Sequence, residues 1–199
     1  MRKERLLAFS DGVFAIIIKI MVLELKAPHD ATWDGLLKLT PVFLSYVLSF
    51  IYVAIYWNNH HHMLEPVQRI NGATLWANMF LLFWLSLVPF TTAWMGETHF
   101  ATLPTSIYGV VLLMPAIGYT ILQNVLIGAH PDNKILKQAV GNDFKGKVSL
   151  VCYIAGVGLA FIHPWIALAL YAAVALIWLV PDPRIEKIVS DKERKGLAE

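Results

Sequence analysis

Four stretches of this chain carry no charged side chain over a length that can cross a bilayer: residues 39–57, 73–95, 107–129 and 148–180. A helix rises 1.5 Å per residue, so about 20 apolar residues bridge the ~30 Å hydrocarbon core. Soluble domains average about one quarter charged and slightly under half apolar residues. Here only 15% are charged and 57% are hydrophobic, with a mean hydropathy of +0.59. An all-α integral membrane protein is therefore expected. The run from Val148 to Val180 is too long for one crossing, and His163-Pro164-Trp165 splits it into a tight hairpin of two. With a first span over about Phe9–Leu25, six transmembrane helices are predicted. Pro89 should bend the outer third of the third span, and Pro115 and Gly118 interrupt the fourth.

The basic residues give the expected orientation. With the N-terminus inside, thirteen of the sixteen Lys and Arg fall in cytoplasmic segments: positions 2, 3, 5, 69, 134, 137, 145, 147, 184, 187, 192, 194 and 195. Lys26 and Lys38 lie outside, and Lys19 lies within the first span. This is the positive-inside pattern for six helices with both termini cytoplasmic. Residues 1–199 read as one six-helix transmembrane domain, with a short basic tail at 183–199. The N-terminus has no small-residue cleavage site and reads as mature rather than as a signal peptide. A net charge of +2 is too small to suggest a nucleic-acid partner, and the single Cys152 supports neither a disulfide framework nor a thiol metal site.

The first span is unusual in carrying Asp11 near its start and Lys19 in its middle. A charge at mid-bilayer depth costs about 3 kcal/mol on insertion scales, so such a residue normally faces a bundle interior or a watery cavity. Ser10 and Asp11 also suit a helix N-terminus, where a capping oxygen and a negative charge are favourable. Gly12, Ile16, Lys19, Ile20 and Leu23 fall on one stripe at 3.6 residues per turn. A stripe of Ile and Leu is ordinarily packing; here it shares its face with an ammonium.

The second span ends in Tyr56-Trp57-Asn58-Asn59-His60-His61-His62. Imidazole is the commonest metal ligand, so a metal or haem site is one reading. Adjacent helical residues point about 100° apart, however, and three consecutive rings cannot converge on one ion. The reading adopted is no metal, with His60 or His61 donating to Ser10 or Asp11, since buried polar groups require partners. Asn78 lies at the same level, so Arg5, Ser10, Asp11, Trp57, His60 or His61 and Asn78 are expected to share a network at the cytoplasmic ends of the first three helices. There is no Gly-rich phosphate loop, no Ser/His/Asp nucleophile set and no carboxylate pair within the spans. The chain is not expected to be an enzyme.

The run Arg5-x-x-x-Phe9-Ser10-Asp11 followed by Gly-Val-Phe-Ala-Ile resembles the signature of bacterial relatives of the transmembrane protein 175 family, the lysosomal potassium channels. Tyr56-Trp57-x-Asn59-His60-His61 and Asn78…Leu82-Phe83…Leu87-x-Pro89-Phe90-x-Thr92 are similar to the same family. The resemblance covers about residues 2–97; the back half agrees in span count and topology. It implies a homotetramer of six-helix subunits in the cell (inner or plasma) membrane. The first helix of each subunit would line a central pore passing monovalent cations, mainly potassium, with no cofactor beyond the permeating ion. It implies apolar constriction layers at Ile16, Ile20 and Leu23, and a pore helix pinned by Arg5, Phe9, Ser10, Asp11, Trp57 and His60 or His61. The sequence departs from the family at Lys19, where a Thr associated with potassium selectivity is usual. Four Lys side chains around a narrow axis would repel cations, so a pathway of altered selectivity or low conductance is the first alternative. A His-based metal or haem membrane enzyme using His60–His62 is the second. A carrier is the third, but the paired broken helices of inverted repeats are missing from the sequence.

Overall fold

The computed structural model describes residues 3–67, 69–131 and 143–179. The described residues form helices and connecting turns. In order they are α1 (Lys3–Leu23), α2 (Trp33–Leu37), α3 (Thr40–Leu64), α4 (Gly72–Leu85), α5 (Val88–Glu97), α6 (Thr102–Ala129), α7 (Phe144–Leu159) and α8 (Pro164–Leu179). Four spans are long and apolar enough to cross a membrane: Lys3–Leu23, Thr40–Leu64, Gly72–Glu97 and Thr102–Ala129. The hairpin of α7 and α8 follows with 16 residues in each helix. The basic tail 183–199, Lys134 and Lys137 lie outside the described residues.

The element boundaries have local causes. α1 begins at Lys3, so Asp11 lies more than two turns inside the helix and caps nothing. The helix extends that far because Leu6 is buried in the core. Ser10 likewise donates to the Leu6 carbonyl of its own helix at 2.9 Å instead of capping. α2, which hydropathy alone does not reveal, is started by Thr32, whose hydroxyl accepts from the Gly35 amide at 3.1 Å. Asn71 caps α4 in the same way at 2.8 Å, and Asp143 caps α7 at 2.9 Å. The third span breaks at Ser86–Leu87 because Pro89, in the first turn of α5, has no N–H to continue the ladder of α4. α6 tolerates Pro115 inside the helix and runs unbroken for 28 residues.

α6 is the central rod, packing against α4, α5, α7 and α8, while α1 packs on α3, α4 and α5. Two glycines make the tight approaches possible. A Cβ at Gly109 (α6) or at Gly156 (α7) would collide with the ring of Tyr171 (α8), so both helices close onto that ring. Several polar groups in the interior are paired with one another across helices, whereas the buried hydroxyls of Thr105 and Tyr171 have no hydrogen-bond partner among the described residues. The Ser49 hydroxyl lies 2.6 Å from that of Thr92 and 2.9 Å from that of Tyr108, tying α3 to α5 and α6. Tyr52 donates to the Tyr171 carbonyl at 2.5 Å and ties α3 to α8.

Candidate functional site: the two faces of α1

α1 has one covered and one uncovered face. Leu6, Ser10, Phe14, Ile17 and Met21, spaced three or four apart, are buried against the bundle. On the other side Gly12 and Lys19 are exposed, and Ile16, Ile20 and Leu23 are 57%, 41% and 67% exposed. Three branched apolar side chains left open on the stripe of one helix, with an ammonium between them, is not a core pattern. Among the described residues nothing covers them, and lipid, another subunit or a pore are the surroundings open to such a face. Lys19 takes part in no ion pair among the described residues.

The covered face is fixed by a buried polar chain. The Asn78 amide nitrogen donates to Ser10 Oγ at 3.1 Å, and its oxygen accepts from His60 Nε2 at 2.7 Å. Asn78, Ser10 and His60 are each at most 1% exposed. The edge of Phe14 meets the His60 ring with centroids 5.8 Å apart, closing the apolar side. Helices α1, α3 and α4 therefore meet at one fully desolvated point, where each hydrogen bond is worth more to keep than at a wet surface.

Asp11 belongs to a second, exposed unit. It accepts from the Trp57 indole Nε1–H at 3.0 Å, and His61 lies tilted against the Trp57 ring at 6.4 Å. Arg5 and Phe9 are exposed, and among the described residues Arg5 has no ion pair. The residues expected in one network thus occur as two groups: Ser10–Asn78–His60 inside, Asp11–Trp57 with His61 outside. The three imidazoles point apart, to Asn78, to Trp57 and, for His62 Nδ1, to Glu65 at 3.9 Å. Among the described residues no group of three His, Cys, Asp or Glu is placed to hold a metal ion. Two contacts were not anticipated from sequence. Phe14 could have been found, as it lies four residues from Ser10 on the buried stripe. Lys3 Nζ donates to the Glu65 carbonyl at 2.7 Å, a backbone contact with no sequence signal.

Comparison with known proteins places these features in a family. Residues 5–89, which include Ser10, Asp11, Phe14, Trp57, His60, His61 and Asn78, match the family model described as endosomal/lysosomal potassium channel TMEM175. The chain is 53% identical over 191 residues to a potassium channel of Chryseobacterium sp. (strain P1-3), covering 96% of this chain and 100% of the relative. It is 30% identical over 196 residues to a potassium channel of Streptomyces collinus, covering 92% and 95% respectively. Among solved structures, the crystal structure of a lysosomal potassium-selective channel TMEM175 homolog from Chamaesiphon minutus superposes with a TM-score of 0.76 at 30% identity. That match covers 89% of this chain and 96% of the other. These proteins are ion channels of the membrane, not enzymes. The chain is a multi-pass membrane protein and belongs to the TMEM175 potassium channel family.

Proposed function

We propose that the protein is a homotetrameric potassium channel of the cell membrane, with α1 of each subunit lining a central pore and no cofactor beyond the permeating ion. The observation that carries this reading is the uncovered stripe of Gly12, Ile16, Lys19, Ile20 and Leu23 opposite a firmly anchored face. Four copies around an axis would turn that stripe into stacked apolar rings, and a symmetric ring is the usual way for a short chain to enclose a conduit. A ring of branched side chains offers an ion nothing in place of its hydration shell, so a narrow ring closes by dewetting. Ile16 is the first constriction, with Ile20 and Leu23 behind it. α7 and α8 add two short crossings to the four long spans, giving six per subunit with both termini cytoplasmic. The names of the bacterial relatives support potassium as the ion.

Lys19 favours a second reading, a pathway of altered selectivity or low conductance. It is exposed on the same stripe without an ion-pair partner among the described residues, and an ammonium ring on the axis opposes cations. Reversal potentials in liposomes under potassium, sodium and chloride gradients separate the two. Low cation flux that rises, with potassium preference, in Lys19→Thr supports a pore-facing Lys19 that limits conduction. Robust potassium-selective current from the parent, unchanged in Lys19→Thr, removes Lys19 from the pore.

A further inference from the structure

A second concavity lies away from α1, among α3, α6, α7 and α8, where the end of α3 meets the start of α7. The centre of a water molecule can range over about 40 Å³ in it, several times the ~10–15 Å³ that one water needs. Its walls are largely aromatic, with Tyr56, Tyr119 and Trp178 among them, and Asp143 stands in the lining as its one carboxylate. No lining residue comes from α1, so the site is separate from the proposed conduit.

The donor count decides what this cavity can take. Most polar hydrogens on its wall are already committed to the protein. Tyr119 donates to the Asn59 carbonyl, Asn59 Nδ2 to the Ile55 carbonyl and Thr120 to the Ala116 carbonyl. Ser149 donates to the Lys145 carbonyl, Trp178 Nε1 to Ser149 and Tyr52 to the Tyr171 carbonyl. The Tyr153 hydroxyl is bonded to that of Tyr52, which leaves the Tyr56 hydroxyl and the second Nδ2 hydrogen of Asn59 as the lining's remaining side-chain donors. Acceptors remain in excess: Asn59 Oδ1, the second carboxylate oxygen of Asp143 (its first takes the Gly146 amide) and the lone pairs of Thr120. Aromatic faces complete the wall, and these attract cations. Lys145 shows the attraction at work, its ammonium resting 5.9 Å from the centre of the Trp178 ring. An anion would find few donors. A bare metal ion would find a single carboxylate. A ligand with three N–H donors, one positive charge and an alkyl stem matches acceptors, carboxylate and apolar wall together.

We infer that this cavity is a binding site for a primary ammonium group carried on an alkyl stem. The location gives such a ligand a mechanical handle. Tyr52, Ile55, Tyr56 and Asn59 line the cavity at helical spacing on one side of α3, and Trp57 and His60 on its other side hold α1 and α4. An occupant therefore presses on the helix that positions α1.

The test uses the full-length protein, delipidated in detergent and titrated calorimetrically with n-butylammonium and with 1-butanol as its uncharged counterpart. The expected result is saturable binding of the amine, at least tenfold tighter than the alcohol. Asp143→Asn should weaken the amine at least tenfold, because asparagine still caps α7 but carries no charge. Equal binding of amine and alcohol, or an Asp143→Asn protein within twofold of the parent, overturns the inference. Should Asp143→Asn fail to fold, Asn59→Asp decides. A second carboxylate should tighten the amine about tenfold, and an unchanged affinity overturns the inference, whereas a misfolded protein cannot bind more tightly. The source of the amine is read by repeating the titration in nanodiscs. Weaker apparent binding with ethanolamine headgroups than with glycerol headgroups assigns the site to a lipid amine; equal binding assigns it to a soluble one. Both of these results uphold an ammonium site.

Discussion

Replacing Asn78 with Leu keeps the heavy-atom count and branched shape while deleting the side chain that joins α1, α3 and α4. In the parent its oxygen takes the His60 Nε2–H at 2.7 Å and its nitrogen serves Ser10 at 3.1 Å. Ser10 keeps its own bond to the Leu6 carbonyl and is the lesser loss, about 0.6–2 kcal/mol for a bond between helices in lipid. His60 fares worse. At 1% exposure its N–H has no water to turn to, and an orphaned buried donor costs about 1–3 kcal/mol. Together the change should destabilise the subunit by about 2–5 kcal/mol, before the added apolar contact of the leucine offsets part of it. Reversible unfolding in mixed micelles, followed by far-UV circular dichroism, would measure this. A cycle with Ser10→Ala should return a coupling of about 0.5–3 kcal/mol between positions 10 and 78, as for directly bonded partners. An Asn78→Leu protein within 0.5 kcal/mol of the parent and uncoupled from Ser10→Ala would mean that the polar chain does not hold α1, and the argument for a fixed α1 face would fail.

Three further outcomes follow from the same contacts. Asp11→Ala should lower the yield of tetramer in detergent, measured by size-exclusion with light scattering; normal assembly with altered conductance would make Asp11 a conduction residue instead. Ile16→Asn should raise potassium flux into liposomes by wetting the narrowest proposed ring, and unchanged flux in a properly assembled protein would count against α1 as the pore lining. Gly109→Ala should destabilise the bundle by about 1–3 kcal/mol through overpacking against Tyr171, read as a lower melting temperature; Tyr171→Phe in the same chain, which removes the unpartnered hydroxyl that the new methyl would meet, should recover part of the loss, and no recovery would place the strain elsewhere.

Much of the membrane architecture is legible because charge is so costly in lipid that its absence marks the long spans directly. The break in the third span is legible too, since Pro89 lacks the N–H that a continuous helix needs. Helix ends are less so. α1 starts at Lys3 and α3 continues through His62 to Leu64, because hydropathy falls at the membrane surface while the backbone goes on being helical. α2 depends on a single hydroxyl at Thr32. At the candidate site, Ser10, His60 and Asn78 stand out from sequence as polar residues within or at the ends of apolar spans. Their pairing does not: Asp11 and Asn78 are equally plausible partners for His60 until the rotation of α1 about its axis is known. The cavity beside Asp143 is invisible in sequence, being assembled from four helices whose lining residues are unremarkable taken singly.

The hairpin of α7 and α8 has a consequence for the surrounding membrane. The sixteen residues of α7, bounded by Asp143 and Ala160 as its caps, reach only about 24 Å, several ångströms less than the ~30 Å of an average hydrocarbon layer. If α7 crosses, lipid on that flank must thin or the helix must draw polar flanking groups inward, at a fraction of a kcal/mol per ångström of mismatch. The flank formed by α3, 25 residues long with Phe43, Leu44 and Phe50 exposed, has no such deficit. Each subunit would then sit in a wedge-shaped collar of lipid, thinner on one side than on the other. Acyl-chain length would become a control on the protein in its own right, with short-chain bilayers easing the strain on the hairpin and long-chain bilayers tilting it against α6.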